Sequence, residues 1–330
     1  MFSLDQYRAL HDTGGVFPRT DRGRLLLRGA DRRSYLQGLL SNDIAALTPG
    51  PGCYAAMLTA QGRMISDMRV FELGDEVLLD LEAAVAEAVR AHLDMFVITE
   101  DVTVLDVTAT LAQIGLYGPK AGDFLTLVKA KGLVPLYELP SNDIGVDGVD
   151  LIVAASDGPA LIEALTAAGA VRIDPETADA TRIEAGIPRF LVDMDTATIP
   201  LEAGIEARAI SLTKGCYVGQ EVIIRVLHRG GGRVAKKLVG LALDGPAQPG
   251  DIVVSSDGVE NSDGVAQPFR AASAMREIGR ITSATHSPAL GKRLALGYVH
   301  RDFVAPGTRL HVKTAAGETP AAVVELPARG

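Results

Sequence analysis

The stretch "LGDEVLLDLEAAVAEAVRAHL", residues 73–93, sets the fold class. Gly74 and Asp75 mark a hairpin turn, the apolar run 77–81 reads as a strand, and Leu81, Val85, Val89 and Leu93 then recur at helical spacing while Glu82, Glu87 and Arg90 fall elsewhere. Upstream, "CYAAMLTAQGRMISDMRVF" (53–71) predicts two strands joined at Gln61 and Gly62. Before it, "GADRRSYLQGLL" (29–40) predicts a short helix with Asp31 as N-cap and Tyr35, Leu36, Leu39 and Leu40 on one face. Downstream the same order recurs in "IGVDGVDLIVAASDGPALIEALTAAGA" (144–170): a turn, an apolar strand, Pro159 in a first helical turn, and a helix stopped at Gly169. Two such units predict a duplicated α+β domain. From Lys236 onward, short apolar runs ("KLVGLAL", "DIVVSS", "IGRITSA", "RLALGYV", "RLHVKT", "AAVVEL") alternate with Gly, Pro and Asp, the spacing of a small all-β barrel or sandwich. Within them "DGVENSDGVAQPFRAASAMRE" (257–277) reads as a polar surface loop.

Composition narrows the function classes. A chain of 330 residues with 47% hydrophobic and 22% charged residues buries a sizeable core without staples. Its net charge of −9 argues against a surface that neutralises many phosphates, so nucleic acid is not the expected partner. No apolar run reaches membrane-spanning length, and the N-terminal residues lack the apolar core of a leader. Cys53 and Cys216 have neither zinc nor disulfide spacing. A reducing, cytoplasmic location is the expectation.

Three places carry chemistry-bearing residues. In "SLTKGCYVGQE" (211–221), Cys216 follows Lys214 and lies between Gly215 and Gly219. Positive charge and open backbone suit an exposed, low-pKa thiol, and a small buried packing cysteine is the alternative. A lone thiol that ligates iron must share the cluster with a partner chain or a small thiol. In "TRIEAGIPRF" (181–190), Arg182 and Glu184 share a face if the segment is a strand, where they would pair, and not if it is a helix. A buried Glu184 could also take the paired N–H donors of an amino-pyrimidine ring. Asp67 falls at the border of a predicted strand, where most aspartates end in solvent. The glycine-rich "HRGGGRVAKK" (228–237) lacks the ending of a phosphate-binding loop and reads as a linker.

The eight residues "KGCYVGQE" resemble the signature of the YgfZ-type folate-binding proteins, relatives of the glycine cleavage T-protein (aminomethyltransferase) and of an iron–sulfur assembly factor. The likeness continues through "YLQGLLSNDI", "PGCYAAMLTAQGRMISD", "RIEAGIP", "PLEAGIEARAI" and "GRITSATHSPALGKRLALGYV". It implies an α+β folate-binding part of ferredoxin-like halves over 1–236 and a C-terminal β-barrel over 237–330, arranged around a channel. It implies tetrahydrofolate, or a derivative, as cofactor, with Tyr54, Asp67, Arg182, Glu184 and Tyr217 as its contacts. It also implies Cys216 as functional thiol, kept anionic by Lys214 on a loop held by Gln220 and Glu221. The expected role is assembly or repair of four-iron clusters, with an A-type carrier protein or client iron–sulfur enzymes as partners. Cys216 would serve as a shared cluster ligand or a redox thiol. The T-protein lacks the cysteine, and carries an asparagine-containing strand end where this chain reads "LLDLEAA". The alternative is folate-dependent aminomethyl or one-carbon transfer, which Asp67 keeps open; a third is a module that only stores folate.

Overall fold

The computed structural model describes residues 2–228, 231–255 and 275–328. Strand Arg22–Arg28, helix Arg32–Leu39, strands Met64–Glu72 and Val77–Glu82, helix Ala86–Asp94 and strand Thr103–Asp106 follow one another. In space they pair as Met64–Glu72, Val77–Glu82, Arg22–Arg28, Thr103–Asp106, with Cys53–Leu58 added outside Met64–Glu72. This is the ferredoxin-like arrangement, in which the first strand lies between the third and the fourth. The second half repeats it with Leu111–Tyr117, helix Ala121–Lys129, Tyr137–Ser141, Gly148–Ala154, helix Gly158–Ala168 and Val171–Arg172. Here the N-terminal strand Gly15–Pro18 is inserted between the fourth strand and the first, parallel to the former and antiparallel to the latter. The predicted duplication is therefore present in the topology. Gly169 ends its helix at φ 117°, a left-handed cap that glycine adopts without strain.

Each sheet has one face under its own helices. Leu25, Leu27, Met68, Val70 and Leu79 pack beneath Leu36, Val89 and Leu93 in the first half. Val16, Ile114, Leu116, Leu151 and Val153 do the same beneath Phe124, Leu125 and Leu161 in the second. Because side chains alternate along a strand, the intervening residues face the opposite sheet. One end of this inter-sheet layer is apolar, with Leu26, Phe71, Leu78, Leu139 and Ile152 in contact. The other end is charged, and the candidate site lies there.

The C-terminal part is a closed six-stranded barrel in the order Lys236–Leu243, Lys292–His300, Arg276–Ser287, Ile252–Ser255, Arg309–Thr314, Gly317–Val324. Leu241, Val253, Ile281, Val299, Val312 and Val323 fill it. The loop expected over 257–277 lies outside the described residues, apart from Met275 and the first residues of the strand Arg276–Ser287.

Helix Pro175–Ala185 joins the halves to the barrel. Ending at Gly186 with φ 73°, it has Arg182 bonded to Ser283 Oγ at 2.7 Å and Glu184 to Ser287 Oγ, both on the barrel strand Arg276–Ser287.

Candidate functional site

At the charged end of the inter-sheet layer, Arg22 Nε donates to Asp80 Oδ1 at 2.6 Å and Arg22 Nη1 to Glu82 Oε1 at 3.0 Å. Arg69 pairs with both Asp80 and Asp150, and the Tyr117 hydroxyl donates to Asp150 Oδ1 at 2.7 Å. Arg19 completes the network on Asp143 at 2.8 Å. Burial alone would raise the Asp80 pKa, but Arg22 and Arg69 hold it down to about 2. These alternating charges fix the two sheets face to face, since a buried guanidinium or carboxylate persists only when paired.

Above the network opens a cavity of about 200 Å³ between the two sheets and helix Pro175–Ala185. Arg22, Tyr54, Asp67, Glu82, Arg189 and Arg208 are among its lining residues. Asp67 is not at a solvent-facing strand border: it lies inside Met64–Glu72, 6% exposed, because this face turns toward the other half. The Tyr54 hydroxyl donates to Asp67 Oδ2 at 2.6 Å, while Asp67 Oδ1 is buried with no hydrogen-bond partner among the described residues. Burial pushes the Asp67 pKa up, opposed by Arg22 and by the Tyr54 bond. The Tyr54 pKa is pushed well up by burial and by the Asp67 charge. The Arg208 guanidinium lies 4.9 Å from the Tyr54 ring centroid and fixes that ring as a wall of the cavity.

Of the other expected contacts, Arg182 lines the cavity but is engaged by Asp179 at 2.8 Å and by Asp193. Glu184 is not among the lining residues. The segment is a helix, so Arg182 and Glu184 diverge. The Glu184 carboxylate instead accepts from the Tyr7 hydroxyl at 2.8 Å, Ala289 N at 3.1 Å and Ser287 Oγ, which joins the N-terminal helix Leu4–Asp12 to the barrel. Tyr217 is likewise not a cavity residue: its ring is buried in an apolar cluster with Phe190, Met194 and Ile223.

The thiol loop lies outside this cavity. Cys216 is exposed and free, whereas Cys53 is half-buried with its pKa pushed up to about 12 by burial. Lys214 does not present a free ammonium to Cys216. Its Nζ donates to Gln37 O and Leu40 O at 2.6 Å and to Asn42 O at 2.9 Å, which caps the end of helix Arg32–Leu39, and burial lowers its pKa to about 8. Gln220 Oε1 accepts from Tyr217 N at 3.3 Å and so holds the loop. Glu221 is exposed in the first turn of helix Gln220–His228, where its charge suits the helix N-terminus. Among the described residues no His, Cys, Asp and Glu cluster could hold a metal ion.

Sequence reading missed Arg19, Arg22, Arg69, Glu82, Arg189 and Arg208. For Arg22 a signal existed, in charged residues alternating with Gly23 and Leu25 along one strand. Glu82, within the "LLDLEAA" segment, occupies the end of strand Val77–Glu82.

Residues 2–139 match the GCVT N-terminal domain and residues 236–328 the glycine cleavage T-protein C-terminal barrel domain. The chain is similar to the aminomethyltransferase of Synechococcus sp. (strain CC9311), 26% identical over 98% of this chain and 89% of the relative. It is 29% identical to that of Saccharopolyspora erythraea, over 98% and 88%. In fold it is similar to the glycine cleavage system aminomethyltransferase T of Bartonella henselae, with TM-score 0.82 and 20% identity over 98% of this chain and 88% of that one. With both domain matches in chain order and the ferredoxin-like halves and closed barrel in place, the chain belongs to the GcvT-like family.

Proposed function

We propose that the chain binds tetrahydrofolate in the inter-sheet cavity and acts as a folate-dependent aminomethyl or one-carbon transferase. The observation that carries this reading is Asp67: a buried carboxylate, one oxygen oriented by Tyr54 and the other lacking a donor among the described residues. The residues fit the ligand. An amino-pyrimidine offers adjacent N–H donors, and a carboxylate oxygen without a partner in a buried wall is their complement. Bound tetrahydrofolate would supply a nucleophilic ring nitrogen for the one-carbon unit. Asp67 would hold the pyrimidine edge, Tyr54 would keep the carboxylate in its rotamer, and the low-dielectric wall would strengthen both bonds by excluding water. The names of the relatives support the transferase chemistry.

Calorimetry with tetrahydrofolate and turnover with an aminomethyl donor test it. Asp67→Asn should weaken binding at least about tenfold, the loss of one charge-assisted hydrogen bond. Wild-type affinity retained in the variant would overturn the reading.

One observation favours a second reading, iron–sulfur cluster assembly or repair: Cys216 is exposed on a loop pinned at Lys214 and Gln220. A single thiolate would complete a cluster only with ligands from an A-type carrier or a client enzyme. In cells lacking the protein, aconitase activity should be restored by wild type and not by Cys216→Ala. Equal rescue by both would remove the thiol from the function.

A further inference from the structure

The residues Ser41 and Asn42 lie between the cavity wall and the thiol loop and bond to both. Ser41 Oγ accepts from Ala56 N at 2.9 Å and donates to Ala209 O at 2.6 Å, and Ser41 O accepts from Ser211 N at 3.0 Å. The Asn42 side-chain amide donates to Tyr54 O at 2.8 Å and to Arg208 O at 2.9 Å, while its Oδ1 accepts from Asp43 N at 2.8 Å. Its main-chain oxygen accepts from Lys214 Nζ. Both amide protons of one side chain are thus spent on two separate cavity elements, the strand that carries Tyr54 and the short helix Glu206–Ala209 that carries Arg208. Those two residues face the cavity and stack on one another. On the other side, Lys214 stands two residues before Cys216, and Val218 N closes the loop on Gly38 O at 3.2 Å.

We propose that Asn42 is a positioning residue that couples occupancy of the cavity to the setting of the Cys216 loop. The proposal rests on the reading of the cavity as a folate site. A ligand that orders Tyr54 and Arg208 fixes both acceptors of the Asn42 amide. The Asn42 backbone then fixes Lys214, and with it the loop. Aspartate at this position would keep the size but present no donor to either carbonyl. Coupling between two sites is reciprocal, so a change at the thiol must alter ligand affinity by the factor with which the ligand alters the thiol site.

The experiment compares unmodified protein with protein alkylated at Cys216 by iodoacetamide, the site of modification verified by peptide mass. In wild type, alkylation should shift the tetrahydrofolate Kd by at least about fivefold. In Asn42→Asp, folded as judged by its thermal transition, the shift should fall below about twofold. A wild-type Kd indifferent to alkylation, or an equal shift in the variant, overturns the coupling. An asparagine that served stability alone would change both Kd values and leave their ratio intact. If unmodified wild type binds no tetrahydrofolate, the folate reading fails instead. Hydrogen exchange then decides the coupling: alkylation should alter amide exchange at 53–58 and 206–209 in wild type and not in Asn42→Asp, and unaltered exchange in wild type overturns it.

Discussion

The Tyr54 hydroxyl reaches Asp67 across adjacent strands although the two residues are not directly opposed: Tyr54 faces Arg69 and Asp67 faces Ala56 in the register. The diagonal contact orients one carboxylate oxygen and leaves the other buried and, among the described residues, without a partner. Folding therefore raises the Asp67 pKa, burial outweighing Arg22 and the Tyr54 bond. The folded chain holds a proton at a pH where the unfolded chain has released it, so ionisation of Asp67 opposes folding as pH rises through the raised value. Asp67→Asn should be more thermostable than wild type at pH 7, with the difference closing as the pH falls toward 4. Its tetrahydrofolate affinity should be flat over the range in which wild-type affinity falls with acidification. Unfolding scans and titrations from pH 4 to 7 check both; a variant less stable than wild type at pH 7 would mean that the carboxylate is a net stabiliser.

Glu184 separates a structural from a binding role. Its carboxylate accepts three hydrogen bonds that join the N-terminal helix, the helix Pro175–Ala185 and the barrel. Glu184→Gln turns an acceptor into a donor against the Tyr7 hydroxyl or the Ser287–Ala289 pair, and should cost about 2–4 kcal/mol. Denaturant unfolding gives that figure. Calorimetry on the folded protein should return a tetrahydrofolate Kd within about twofold of wild type, because the carboxylate faces away from the cavity. A large loss of affinity at unchanged stability would return Glu184 to the binding site.

Arg69 tests the charged layer between the sheets. It pairs with Asp80 and Asp150 and donates to Ser141 Oγ at 2.5 Å. Arg69→Met leaves Asp80 with Arg22 and Asp150 with Tyr117, and should destabilise the protein by about 3–5 kcal/mol, the cost of an under-compensated buried charge. Asp80 is depressed to about 2, so its pairing contributes stability above the unfolded carboxylate pKa and loses it as pH falls through that range toward 2. With less depression, the variant should unfold in acid at a higher pH. A midpoint identical to wild type would show that Arg22 and Gln113, which also donates to the Asp80 carboxylate at 3.1 Å, sustain Asp80 without Arg69.

The duplicated halves and the barrel were legible because each rests on local periodicity: Leu81, Val85, Val89 and Leu93 at helical spacing, Gly169 as a stop, short alternating runs after Lys236. The cavity was legible only where a motif pointed, at Tyr54, Asp67 and Arg182. Arg19 and Glu82 meet there through the face-to-face packing of two sheets, and Arg208 through the docking of helix Glu206–Ala209 beside strand Cys53–Leu58, juxtapositions that no spacing along the chain encodes. For Lys214 and Tyr217 the motif pointed to a thiol partner and a folate contact, whereas their side chains are directed by a helix end at Gln37–Leu40 and by an apolar cluster remote in the chain. Arg182 and Glu184 turned on a single local choice, helix over strand, which sent neighbouring charges to opposite sides.

Lys214 supplies the remaining prediction. Its ammonium satisfies three main-chain carbonyls at the end of the helix that bears Gln37, and lies 5.1 Å from the Tyr217 ring centroid. Lys214→Met keeps the length of the side chain and removes every donor. It should cost about 2–3 kcal/mol, since the carbonyls lose their partner without gaining solvent. Burial lowers the lysine pKa to about 8, below its unfolded value, so between roughly pH 8 and 10.4 the folded chain has released a proton that the unfolded chain retains. Wild-type stability therefore gains from this group as pH rises through that window, and the deficit of the variant should widen. At pH 7.5 the same loss should fray the loop and speed alkylation of Cys216. If Lys214 served instead to keep the thiol anionic, Lys214→Met would slow alkylation, so the sign of the rate change discriminates between a cap and an activator.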